Sequence, residues 1–337
     1  MRSVPSFLLV VAIFVLVHAE VTRAQVTAQA NAQANAQASY PTRPIQLVVT
    51  VPPGGAADLV GRLIGSKLSD ALGQTVVISN RGGAGGTIAA GQVGKSDPDG
   101  YTLLLNTIAT HGIGPHIYAN LPYDPVKDFS PVILIAKLPL IMVVNADVPA
   151  RSVSDVIALA KAKPGELTFA SAGSGGAPHL AGELFKNLTG TNLLHVPFRG
   201  SGPAVIDLVA GRITMMFDAT PSLLPHVTAG KLRPLAAASP QRHRLLPDVP
   251  SFAELGYPGM DIALWYGVVA PGGTPAPIVQ RLNAELVKIL DMPDVRSTLT
   301  DQGADVQGGT AEDFDVFMRR ESARWGTVVK QAGIKPE

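Results

Sequence analysis

The chain of 337 residues contains no cysteine. Disulfides, cysteine-ligated zinc, iron–sulfur clusters and a cysteine nucleophile are therefore excluded, as is a lipobox anchor. Charge is also scarce. Charged residues make up 16%, and 27 Lys plus Arg stand against 26 Asp plus Glu for a formal net charge of +1. That balance gives no electrostatic footprint for nucleic acid, and no basic stripe with interleaved aromatics is present. The 7 histidines, His18, His111, His116, His179, His195, His226 and His243, form no H-E-x-x-H pair, so no metal site is expected.

Familiar catalytic signatures also fail. Gly94-Lys95-Ser96 ends like a phosphate-binding loop, but Ala89 stands where the earlier glycine is required. The glycines from Gly82 to Gly86 miss G-x-G-x-x-G at Ile88, and no acidic residue follows at the ribose-binding spacing. Ser174 lies between glycines but in no G-x-S-x-G elbow, and no acid is placed to orient His179 as its base. No cofactor is expected, and the chain reads as no enzyme. A secreted hydrolase built on Ser174 and His179 is the remaining catalytic alternative.

What the chain has is a large apolar share, 46%, and a recurring strand–glycine–helix arrangement. Ile45 to Val51 reads as a buried strand, and Leu59, Leu63, Ile64 and Leu68 mark one face of a helix. Pro52-Pro53-Gly54-Gly55-Ala56-Ala57-Asp58 joins them. Entry into a helix through glycines leaves bare N–H groups at its positive end, a seat for an anion. The arrangement recurs from Leu167 through Ala172-Gly173-Ser174-Gly175-Gly176 to His179. The two turns read as facing jaws of one cleft. Asp58 either stabilises its helix start and turn or meets a ligand ammonium. Asp218, ending the strand Ile213 to Phe217, carries the same ambiguity.

Met1-Arg2, the apolar run Phe7 to Val17 and small residues near Ala19 or Ala24 read as a secretory signal peptide. The run falls short of the about 20 residues a spanning helix needs. Residues 1–19 are assigned to the signal, and 20–39, with its Ala/Gln/Asn tract, to a flexible leader. The expected product is a soluble exported, periplasmic protein.

From Pro44 onward strands and helices alternate, which argues for an α/β protein with mainly parallel sheets flanked by helices. Val132 to Val144 reads as two strands broken near Lys137 and Pro139, the second carrying the chain into another domain; Ala263 to Ala270 reads as the return crossing. Residues 40–141 plus 265–337 form an expected discontinuous first domain, and 142–264 an inserted second. The last helix is expected to start near Thr310 and to bury Phe314, Phe317 and Met318.

A series of ordered motifs runs from Tyr40 to the C-terminus: Pro53-Gly54-Gly55 with Asp58; Asn80 with the glycines through Gly86; Asp97-Pro98-Asp99-Gly100-Tyr101; Ser171-Ala172-Gly173 through Glu183; His195-Val196-Pro197-Phe198-Arg199-Gly200; Phe217-Asp218; Gly230-Lys231-Leu232-Arg233; Leu246-Pro247-Asp248-Val249-Pro250; and Trp265-Tyr266-Gly267. In these the chain resembles the Bug-type receptors, the extracytoplasmic solute-binding proteins of tripartite tricarboxylate transporters. The resemblance implies a two-domain, hinge-closing periplasmic binding fold of type II-like form. It implies a small organic anion as ligand, such as a di- or tricarboxylate, an acidic amino acid or an aromatic acid. It also implies membrane permease subunits as partners. One carboxylate would be held by backbone from both glycine turns. The chain departs from the family where Thr50 and Val51 replace a usual proline and aromatic, which alters a pocket wall.

The residues expected to line the site are Pro53, Gly54, Gly55, Ala56, Asp58, Asn106 and Thr107, with Ala172, Gly173, Ser174, Gly175, His179 and Asp218 opposite. A monomer is expected. A ligand sensor signalling to a membrane partner would use the same cleft and is the alternative output.

Overall fold

A computed structural model describes residues 40–334. The expected signal peptide, leader and cleavage sites lie outside the described residues. Contacts divide the chain between Thr42 and Arg43, and the fold described here is the unit from Arg43 onward.

The elements in order are β1 (Ile45–Val49), α1 (Ala56–Leu72), β2 (Val76–Asn80), α2 (Thr87–Gly94) and β3 (Thr102–Thr107). A π-helical stretch (Ile108–Ile113) leads into α3 (Gly114–Ile117) and β4 (Phe129–Asn145). Then come α4 (Val153–Ala162), β5 (Thr168–Ser171), α5 (Ala177–Thr189), β6 (Leu194–Pro197) and α6 (Ser201–Val209). The chain continues through β7 (Met215–Ala219), α7 (Thr220–Thr228), β8 (Leu232–Ala238) and β9 (Ala263–Pro271). It closes with α8 (Ala276–Asp291), α9 (Pro293–Asp301), β10 (Asp305–Gly308) and α10 (Ala311–Gln331).

The helices form where apolar spacing and end signals agree. Ile64 and Leu68 bury one face of α1, and Gly73, in the left-handed region at φ 65°, ends it. Thr310 caps α10 through a reciprocal pair with Asp313, and Phe314, Phe317 and Met318 are buried beneath it. In the turn before α8, Pro275 is the N-cap residue, and the Thr274 hydroxyl donates to Pro271 O at 2.7 Å.

The strand expected as two is one. β4 runs unbroken for 17 residues. From Phe129 to Pro139 it pairs with β9, and from Leu140 onward with β7 on one side and β8 on the other. Proline brings no N–H to a ladder, so it is tolerated where one set of partners gives way to the next. Helix α9 and strand β10 have no counterpart in the sequence reading.

Strand directions decide where ligands can lie. β1, β2 and β3 are parallel. β9 is antiparallel to β3 and β4 antiparallel to β9, so β4 runs in the same sense as β1 to β3. β7 is antiparallel to β4, and β5 and β6 are parallel to β7. The carboxyl ends of β1 and β3 therefore point toward those of β5 and β7. Thr107 lies level with Tyr266, which pairs with Ala136, and Ala219 lies level with Leu140. The two sets of strand ends thus converge on the level where β4 exchanges partners. Ligands in open α/β sheets bind beyond such ends.

Candidate functional site

The first turn leaves β1 through Pro52, Pro53, Gly54 and Gly55, all exposed. Gly54 sits at φ 92°, which a side chain would strain. Gly55 is the N-cap of α1, and that helix has no side-chain cap. A Cβ built on Gly55 meets nothing within 4 Å, so the backbone there faces open space.

Asp58 is fully engaged by the protein. Its Oδ2 accepts from Gly54 N–H at 2.9 Å and from Arg62 Nε at 3.0 Å, and its Oδ1 accepts from Asn80 Nδ2 at 2.9 Å. Asn80 Nδ2 also donates to Val51 O at 3.1 Å. Burial by itself would raise the Asp58 pKa, but the bonds from Arg62, Gly54 and Asn80 outweigh it and hold the carboxyl below its usual value. These bonds tie the turn to the first turns of α1 and to the end of β2. The Gly54 N–H is spent on its bond to Asp58. Asn80, at the end of β2 and level with Val49, is a turn-fixing residue that sequence reasoning placed only as part of a glycine loop.

At the end of β3, Asn106 is fully buried, its Nδ2 on Met318 Sδ of α10 at 3.2 Å and its Oδ1 without a partner. The Thr110 hydroxyl accepts from Thr107 N–H and donates to Thr107 O, closing the start of the π-helical stretch.

The second turn leaves β5 at Ser171 and enters α5, whose N-cap Gly176 also brings no side-chain cap. Ala172 and Gly173 are half-buried and Ser174 is exposed. Two of the turn's amides are used internally: Gly173 N–H donates to Ser171 Oγ at 3.2 Å, and Gly175 N–H to His179 Nδ1 at 3.0 Å. His179 Nε2 lies 3.9 Å from Glu183 Oε1.

The His195 ring stacks on His179 with centroids 3.9 Å apart, and its Nε2 lies 2.7 Å from Ser171 Oγ. Burial, then the proximity of His179 and Lys186, pulls the His195 pKa down to about 4. This Ser171–His195–His179 stack holds the turn. Sequence reasoning placed His195 in a motif without a role; the signal was its position on β6, level with Phe169 of β5.

Asp218 is buried at 2% exposure on β7, level with Ile141 of β4. Its Oδ1 accepts from Ala219 N–H at 2.8 Å, and its Oδ2 has no partner. Burial raises its pKa, with the Ser201 and Ser222 hydroxyls opposing.

A polar cavity of about 500 Å³ lies elsewhere, among Arg43, Gln46, Lys95, Asp99 and Tyr101. It sits at the amino ends of β1 and β3, and its Arg43–Asp99 pair is closed at 2.8 Å. Among the described residues no cluster of three His, Asp or Glu is arranged to hold a metal, and no helix is long and apolar enough to cross a membrane.

The arrangement offers backbone N–H groups and helix starts to a guest, and the Ser171 hydroxyl that lies beside His195 Nε2 is fully buried. Comparison with known proteins agrees. A family described as "Tripartite tricarboxylate transporter family receptor" matches residues 60–334. Protein BugT of Bordetella pertussis is 39% identical over 298 residues, covering 88% of this chain and 91% of that one. The structure described as R. palustris Rpa4515 with adipate has a TM-score of 0.82 at 40% identity, covering 88% of this chain and 100% of that one. MatC from Rhodopseudomonas palustris with bound malate has a TM-score of 0.77 at 36% identity, covering 86% and 100%. The periplasmic binding protein BugD superposes with a TM-score of 0.79 at 33% identity, covering 88% and 100%. The α/β periplasmic-binding fold is thereby shared, and the chain belongs to the tripartite tricarboxylate transporter receptor family, a family of solute-binding receptors rather than enzymes.

Proposed function

We propose that this receptor captures a small organic carboxylate between the Pro53–Ala57 turn and the Ala172–Gly176 turn and presents it to the permease subunits of a tripartite transporter. The observation that carries the reading is the pair of uncapped helix starts, α1 at Gly55 and α5 at Gly176, at strand ends that face each other. Each presents a helix start, where N–H groups lack a partner within the helix, and the positive end of a helix dipole. The relatives with adipate and malate support a carboxylate as the guest. Within this reading Pro53, Gly55, Ala56, Ala172 and Ser174 approach the ligand, while Gly54, Asp58, Gly173, Gly175 and His179 hold the two turns in shape.

The same reading divides the molecule into two lobes hinged on β4 and on the start of β9. The change of partners between Pro139 and Leu140 supports a hinge there, two residues ahead of the boundary expected after residue 141. Closure around the ligand is a shift of population, driven by contacts made from both lobes.

Titration of the purified protein with a panel of mono-, di- and tricarboxylates, read by calorimetry and thermal shift, tests this. At least one carboxylate is expected to bind and to raise the unfolding temperature. A panel that leaves both heat and unfolding temperature unchanged refutes it.

A further inference from the structure

Asp218 is unusual for a site built for anions. It is a carboxyl, it is buried, and one of its oxygens has no partner. It lies one residue before Ala219, the β7 residue level with Leu140, where β4 exchanges partners. Met216, two residues earlier and so on the same face, packs with Ile141, Val205, Leu208 and Leu223.

The groups around Asp218 can be named element by element. Ser201 opens α6 and Ser222 lies in the first turn of α7, and both hydroxyls flank the carboxyl. From the other half of the sheet Tyr266 of β9 feels its charge, burial and then Asp218 raising the Tyr266 pKa. No basic side chain acts on Asp218. His179 and His195 lie on the opposite face, against Phe169, since Ala170 belongs to the cluster with Met216.

A buried carboxylate with a free oxygen and no cation is costly, and a ligand carboxylate beside it adds like-charge repulsion. Two carboxyl groups side by side are stable when they share one proton. We propose that Asp218 is a ligand-binding residue that acts as an acid: in the liganded receptor its Oδ2 carries a proton and donates it in a hydrogen bond to an oxygen of the bound carboxylate. This inference rests on the carboxylate reading of the crevice. The balance is simple: one proton is taken from solvent with each ligand bound by a receptor whose Asp218 is ionised, and it returns when the ligand leaves. The consequence is affinity that falls as pH rises, by up to about tenfold per unit above the Asp218 pKa of the empty receptor.

The test uses adipate and malate as probes, titrated calorimetrically in buffers of different ionisation enthalpy over the pH range where both probes are fully ionised. The wild type is expected to take up protons on binding, approaching one per ligand at the alkaline end. Asp218→Asn, which keeps an N–H donor at that position, is expected to bind with no proton uptake and a flat pH profile. Infrared difference spectra of the wild type, with and without probe at the alkaline end where empty Asp218 is ionised, are expected to show a protonated-carboxyl stretch appearing on binding; this reading does not depend on the variant's folding. Equal proton uptake and equal pH profiles in wild type and Asp218→Asn overturn the proposal while leaving the carboxylate site standing, as does binding without the infrared band. Failure of the wild type to bind either probe or any other carboxylate overturns both.

Discussion

Ile117 of α3 and Gly175 of the β5–α5 turn meet across the junction between the two halves of the sheet: a Cβ placed on Gly175 would lie 2.3 Å from Ile117 Cδ1. Gly175 is also held at φ 73°. The close approach and the left-handed backbone both require glycine, and each can be tested alone.

Gly175→Ala is expected to cost more than about 1 kcal/mol of stability, because alanine is strained at positive φ and its methyl collides with Ile117. Adding Ile117→Ala removes the collision and leaves the strain. The double variant is therefore expected to lose less than the sum of the two single variants in urea unfolding and in ligand affinity. Strict additivity would mean that the two residues do not touch in solution.

Gly55→Val separates binding from folding. Gly55 sits at φ −85° with open space at its Cβ, so valine fits without strain. The unfolding free energy is expected to stay within about 0.5 kcal/mol of wild type. Affinity for the bound carboxylate is expected to fall at least about tenfold, since the side chain occupies the approach to the α1 amides. Unchanged affinity by calorimetry would remove the Pro53–Ala57 turn from the site.

Asp58→Ala leaves Gly54 N–H, Asn80 and Arg62 without their acceptor. Hydrogen bonds to a charged group of this kind predict a loss of about 1.5–3 kcal/mol. The pH dependence has a definite sign. The folded Asp58 pKa lies below the ordinary 3.8, so its stabilisation is complete above that value and fades as pH falls through the folded pKa. In acid titrations followed by circular dichroism, the wild type should lose stability below about pH 4 more steeply than Asp58→Asn.

His195 and His111 give a second pH window. Burial, with His179 and Lys186 adding to it, pulls the His195 pKa to about 4, and burial alone pulls His111 to about 3, both from 6.5. The unfolded chain therefore takes up protons that the folded chain refuses. Stability is full above pH 6.5 and declines as pH falls toward these values. His195→Asn should flatten the decline between pH 6.5 and 4 in urea midpoints, and an unchanged slope would place the burden on other groups.

Much of this was legible in the chain itself. The apolar spacing of α1 and α10 and the glycines at strand ends were enough for the α/β alternation and for both turns, because those features depend on neighbours in sequence. Asp58 was recognised as a turn residue, but its partner Asn80 is brought in by β2. The π-helical stretch after Thr107 carries no distinct spacing of its own. Residues 293–308 are too polar to advertise α9 and β10. β4 was read as broken because Lys137 and Pro139 interrupt an apolar run, whereas the Lys137 ammonium lies over the Phe317 ring at 4.6 Å and Pro139 falls where partners change. Contacts such as Ser171 with His195 come from strand pairing and have no local signature.

The layout of β4 also orders events during synthesis. Its first stretch, Phe129 to Pro139, has as sheet neighbours among the described residues only β9 and β10, both of which follow residue 262 in the chain. Its last residues find β7 and β8 earlier. A nascent chain stopped before Ala263 therefore holds a long apolar ribbon with bare backbone on both sides, the kind of edge that pairs with strangers.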